Sequence, residues 1–191
     1  MTNLIIGIVI LIGGYIYLQN RLAAAKNAVS NAYAGIQIQL KRRHDLVPAL
    51  VDAVRSAIKH EENLFDQILA VRQEAVTALD QEIEKVELAE ASLTQGLRDF
   101  FAYAEDHPEI TATQNISELQ KQLEETEDQI AASRRLYNGN VERFNTQLDA
   151  IPSNWVAQTM RLEKAPFFGL SAKDAKSAAQ MPKIDLPGAQ S

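Results

Sequence analysis

Residues 114–151, QNISELQKQLEETEDQIAASRRLYNGNVERFNTQLDAI, decide the fold. Long side chains return every three or four positions at Ile116, Leu119, Leu123, Thr126, Ile130, Arg134, Tyr137, Val141, Phe144, Leu148 and Ile151. Steps of three and four make a heptad seam on one helix face. One irregularity near Ile130 interrupts the alternation. Asn138-Gly139-Asn140 has turn composition, yet the apolar period passes through it unshifted, so the helix is expected to continue. Thr113 or Asn115 is placed to start it and Pro152 to stop it. A seam of this length needs facing helices, and the expected fold is all-α.

Working back toward the N-terminus, Leu22, Ala25, Val29, Ala32, Ile36 and Leu40 step by three or four through a stretch with no proline. Pro48 leaves two readings open: the first turn of a new helix capped by Asp45, or a kink inside a continuing one. A second helical pattern runs from Val47 through Leu50, Val54, Ile58, Phe65, Ile68, Arg72 and Ala75 to Leu79, and a third from Ile83 to Ala104. No Gly or Pro marks a turn between Asn63 and Gln95, so the reversal is placed in the acidic stretch 79–90. His107-Pro108 ends the third helix. The architecture expected is a long antiparallel bundle of three to four helices.

The first twenty residues carry no charged side chain. As a helix they reach about 30 Å, the thickness of a bilayer core. Tyr15 and Tyr17 stand where interfacial aromatics belong. A cleaved signal peptide is disfavoured because no basic residue precedes the apolar run and Arg21 separates it from Ala23-Ala24-Ala25. A buried core helix is disfavoured because the run is apolar all round. The expected organisation is a transmembrane anchor at 1–20 that continues into a helical bundle at 21–157. A tail at 158–191 follows, part of it packed and its Ala/Lys/Ser/Gln/Pro end disordered.

Charge supports this layout. Of 191 residues, the first 44 hold Arg21, Lys26, Lys41, Arg42 and Arg43 and no acid, while the rest hold 14 basic and 25 acidic groups. An acidic body argues against nucleic-acid binding. Basic residues after the span place the N-terminus outside and the C-terminal domain in the cytoplasm. The absence of cysteine excludes disulfides, thiolate metal sites and a Cys nucleophile. Trp155, Val156, Met160, Leu162, Phe167 and Phe168 are too apolar for a free tail; they either cover the bundle end or dip into the membrane interface.

Several motifs, in order and over roughly residues 1–157, resemble the LemA family. They are Gln39-Leu40-Lys41-Arg42-Arg43-His44-Asp45-Leu46-Val47-Pro48, His60-Glu61, Arg72 and His107-Pro108-Glu109-Ile110, followed by Arg134-Arg135, Tyr137-Asn138, Phe144-Asn145 and Pro152-Ser153-Asn154. Ser133 before Arg134 and Ile151 before Pro152 depart from that pattern. The resemblance implies a single-pass bacterial membrane protein with a helical-bundle domain and no established catalytic activity.

No catalytic, cofactor or metal site is read from the residues. His60-Glu61 begins like a zinc-protease helix, but Leu64 stands where the second histidine would be. No Glu-x-x-His pair, Walker loop, dinucleotide glycine motif or nucleophile elbow occurs. Arg134 or Arg135 either snorkels or pairs with Asp45 or Glu61 on a facing helix. Lys41, Arg42 and Arg43 form a solvated face, touch anionic lipid, or act inside the bundle. The expected function is a non-enzymatic, membrane-anchored scaffold of the bacterial inner membrane, self-associating and in contact with lipid. The alternative is an accessory regulator or adaptor of another membrane machine, such as a membrane protease.

Overall fold

A computed structural model describes residues 1–57, 62–107 and 114–169. Its secondary structure is helical: α1 (Thr2–Ala57), α2 (Glu62–Ala78), α3 (Ile83–Glu105), α4 (Gln114–Asp149) and the short α5 (Ser153–Thr159). The chain is all-α, with a long N-terminal apolar helix leading into an antiparallel four-helix bundle.

The spine is α1, 56 residues and about 84 Å long. Its first sixteen residues touch almost nothing: Leu4 to Ile12, Ile16 and Tyr17 stand exposed apart from the half-buried Gly7. That segment is long and apolar enough to cross a membrane and none of it is buried within the fold, which fits a membrane anchor. Burial begins at Leu18 and Leu22 and recurs at Val29, Ala32, Ile36 and Leu40, then at Val47, Leu50, Val51 and Val54.

The helix α4 runs antiparallel along α1. Its buried positions are Ile116, Leu123, Thr126, Ile130, Tyr137, Val141 and Phe144, the seam marked out by the heptad steps. Ile151, the last step of that seam, is exposed instead, because the helix has ended at Asp149 before Pro152.

The reversal between α2 and α3 occupies residues 79–82, where Gln37 of α1 donates to the Leu79 carbonyl at 2.9 Å. Gly96 allows α2 and α3 to approach closely, since a Cβ there would sit 3.1 Å from Val71 Cγ2. By contrast, α3 stands off from both α1 and α4: among the described residues no Cα pair comes within 8 Å. Large side chains fill that gap.

One expected boundary is corrected. Asp45-Leu46-Val47-Pro48 starts no helix; α1 runs through Pro48 to Ala57. The first helix ends at Ala57 and the second begins at Glu62, so the single pattern from Val47 to Leu79 belongs to two helices. The expected disordered end, from about Ser171, lies outside the described residues.

Past α5, the chain turns at Arg161, which has a positive φ of 50°, and returns along α4 as an extended strap. Along the spine, an end cluster of Leu22, Val156 and Ala157 is followed by a middle core built on Ile36, Leu40, Val86, Ile130 and Tyr137. A far core is built on Val47, Leu50, Phe65, Leu93, Phe100 and Leu123.

Candidate functional site

Between the middle and far cores lies a buried polar layer. Its buried members are Arg43 and His44 from α1, Glu90 from α3 and Thr126 from α4; the half-buried Thr94 of α3 and the exposed Glu127 of α4 flank it toward solvent. His44 Nε2 donates to Glu90 Oε1 at 2.6 Å. Arg43 Nη1 meets Glu90 Oε2 at 3.2 Å, while Nη2 reaches Glu127 at 2.7 Å and Thr94 Oγ1 at 2.9 Å. Thr94 in turn donates to the Glu90 carbonyl at 2.8 Å. Both carboxylate oxygens of Glu90 are thus engaged by cationic or N–H donors, and α3 is tied to α1 across a gap that backbone packing does not close.

Such a layer costs desolvation wherever a partner is missing, so it penalises every register except the one in which all partners meet. Among the described residues, Arg43 Nε and His44 Nδ1 have no hydrogen-bond partner. Beside the layer, a cleft of about 510 Å³ opens between α3 and α4, with Arg43, Arg98, Phe101, Leu123 and Glu127 among its walls.

One face of this layer explains Pro48. A proline inside a helix lacks the N–H that would bond to the carbonyl four residues earlier. That carbonyl is His44 O, and Arg72 Nε of α2 donates to it at 3.1 Å. The same guanidinium lies 4.0 Å from Asp45 Oδ1.

A second constellation holds the strap. Asn138 donates to the Phe168 carbonyl at 2.9 Å and accepts from Phe168 N at 2.8 Å. Asn145 does the same with Ala165, both bonds at 2.9 Å. The spacing is geometric: seven residues rise about 10.5 Å along a helix, and three extended residues cover about 10 Å. Between them Tyr137 Oη donates to the Pro166 carbonyl at 2.8 Å. Burial, then neighbouring Tyr33, Glu87 and Glu84, push the Tyr137 phenol up to about 12. Arg134 lies over the Phe168 ring at 4.8 Å, and Gly169 N donates to Glu87.

The residues singled out from sequence therefore separate. Arg43 is buried in the polar layer, while Lys41 and Arg42 are exposed. Asp45 is exposed and faces Arg72, not Arg134 or Arg135. Arg134 stacks on the Phe168 ring, and among the described residues no carboxylate pairs with it; Arg135 is exposed. Tyr137 and Asn138 hold the strap, Pro152 precedes α5, and Asn154 is half-buried within it. His60 and Glu61 lie outside the described residues. Reading the sequence missed Glu90, Thr94 and Glu127 as partners of Arg43, and Asn145 as a strap residue. The spacing of Asn138 and Asn145, one heptad apart and each directly after a seam position, Tyr137 and Phe144, was the available signal for the strap.

The model of the LemA family matches residues 32–185. The chain is similar to "Protein LemA" of Metamycoplasma hominis, with 25% identity over 158 residues, 82% of this chain and 71% of that protein.

Proposed function

The chain belongs to the LemA family, and from that premise we propose that it is a non-enzymatic, membrane-anchored helical-bundle scaffold of the bacterial inner membrane. Its N-terminus lies outside and its bundle faces the cytoplasm. The observation that carries this reading is the continuity of α1. One helix is both the bare apolar segment at its start and the central spine of the bundle from Leu22 to Val54. A helical junction transmits orientation, whereas a flexible linker would not. The bundle is then held at a set angle to the bilayer as a surface for other chains. The ionisable groups at the centre of the bundle are spent on one another, which supports a structural role for them.

Self-association is part of the proposal. Native mass of the full chain in lipid nanodiscs, with crosslinking in cells, tests it. Self-crosslinks and a mass of two or more copies are expected. A strict monomer with one dominant foreign partner would replace the scaffold by an adaptor. Protease accessibility of the bundle in spheroplasts tests the orientation.

A further inference from the structure

We propose that α5 and the turn before it form an interfacial foot, seated at the headgroup boundary of the bilayer with Trp155 as its lipid-facing aromatic. The proposal rests on the anchor reading above and adds where the folded body meets lipid.

The position of α5 along the spine carries the argument. Tyr15 Oη and Thr159 Oγ1 are 3.2 Å apart. Thr159, the last residue of α5, is therefore level with the fifteenth residue of an uncharged run of twenty. That run is about 30 Å long as a helix, which matches the bilayer core with no slack. With Tyr15 clear of the membrane, residues 1–14 reach about 21 Å as a helix, short of a bilayer core of about 30 Å. If α1 spans, the foot must enter the interface with it.

The surface of the foot suits that location. Val156 and Ala157 pack onto Leu22 and Leu18, which fixes the face that α5 turns to the spine. The remaining surface exposes Trp155 at 63% and Ile151 at 75%. Other large exposed apolar side chains of the bundle, Ile38, Leu88 and Leu136, sit singly on three different helices. From Ala150 to Leu162 the one charged residue is Arg161, which is basic and exposed. Indole at the headgroup level, tyrosines on the neighbouring anchor and a cation among them form the composition of a membrane–water boundary.

Trp155 is the only tryptophan, so the full chain carries its own probe. The chain is reconstituted into phosphatidylcholine/phosphatidylglycerol vesicles, with and without lipid brominated near the headgroup end of its acyl chains. Iodide is supplied on both sides of the membrane. The reference is a Trp155→Phe, Ile38→Trp double variant, whose indole lies about 35 Å further along α1 from Tyr15. Blue-shifted Trp155 emission, lost in brominated vesicles and resistant to iodide, is expected, with the reverse pattern in the reference. Trp155 that iodide quenches as readily as the reference overturns the foot. Trp155 shielded from both quenchers overturns it too, and points to a protein contact. Flotation after carbonate washing reads the anchor separately. A chain that floats with an iodide-accessible Trp155 fails the foot alone, and one that does not float fails both.

Discussion

Arg72 supplies, from a different helix, the hydrogen bond that Pro48 removes from the His44 carbonyl. A half-buried carbonyl without a donor costs about 1–3 kcal/mol. Arg72→Met is expected to destabilise the bundle by that order. Pro48→Ala restores an N–H four residues after His44 and makes Arg72 partly redundant. The double variant should therefore lose less than Arg72→Met alone. Thermal melts of the four proteins check this as a double-mutant cycle; strict additivity would dissociate the two residues.

The polar layer and the surface pair at Asp45 separate by burial. Glu90 is 8% exposed and holds both Arg43 and His44, while Asp45 is 63% exposed with its partner at 4.0 Å. Glu90→Ala leaves the buried His44 Nε2 without its acceptor and Arg43 with only Glu127 and Thr94, and is expected to cost ~3–5 kcal/mol. Asp45→Ala is expected to cost ~0–1 kcal/mol. Chemical denaturation of the two variants in one detergent measures the contrast; equal losses would mean that the layer does not tie α3 to α1.

The strap depends on two amides. Asn138→Ala and Asn145→Ala each remove two hydrogen bonds and are expected to cost about 1–3 kcal/mol. Gly169 has a φ of 72°, and a Cβ there would lie 2.7 Å from Arg134 Nη2, so Gly169→Ala should loosen the same segment. Limited proteolysis near Pro166–Phe168 reads all three: faster cleavage with the rest of the bundle intact is the expected pattern.

These three predictions divide along what the sequence discloses. The α4 seam and the apolar start of α1 are legible because each is a local pattern, a period in one case and a run in the other. The 79–90 stretch marked the α2–α3 reversal because no other place allowed a compact fold. Pro48 was illegible because a first-turn proline and a mid-helix proline look alike until Arg72, twenty-four positions later, donates to the freed carbonyl. Arg43 sits in a run with Lys41 and Arg42 that reads as solvated. Only Glu90 and Glu127, brought in by α3 and α4, make it a core residue. For Arg134 the sequence leaves snorkelling and a carboxylate partner equally open, because nothing local announces that Phe168 returns beneath it.

The last prediction follows from Tyr137, which donates to Pro166 from a buried position between α1 and the strap. Burial comes first among the causes that raise its phenol from 10.0 to about 12, with Tyr33, Glu87 and Glu84 adding to it. The folded protein therefore holds this proton more tightly than the unfolded chain. The stability linked to it is fully present below pH 10 and is lost as the pH climbs from 10 toward 12. Tyr33 is raised in the same direction and adds to the alkaline loss. Tyr137→Phe has no proton to lose and no donor for Pro166. It should be less stable than the parent at neutral pH, yet its melting temperature should fall less steeply between pH 10 and 12. Phenolate absorbance tracks the ionisation itself: one late-titrating tyrosine should vanish from the variant's curve. If the parent and variant curves lose stability in parallel over that window, Tyr137 is not the group that couples the strap to alkaline unfolding.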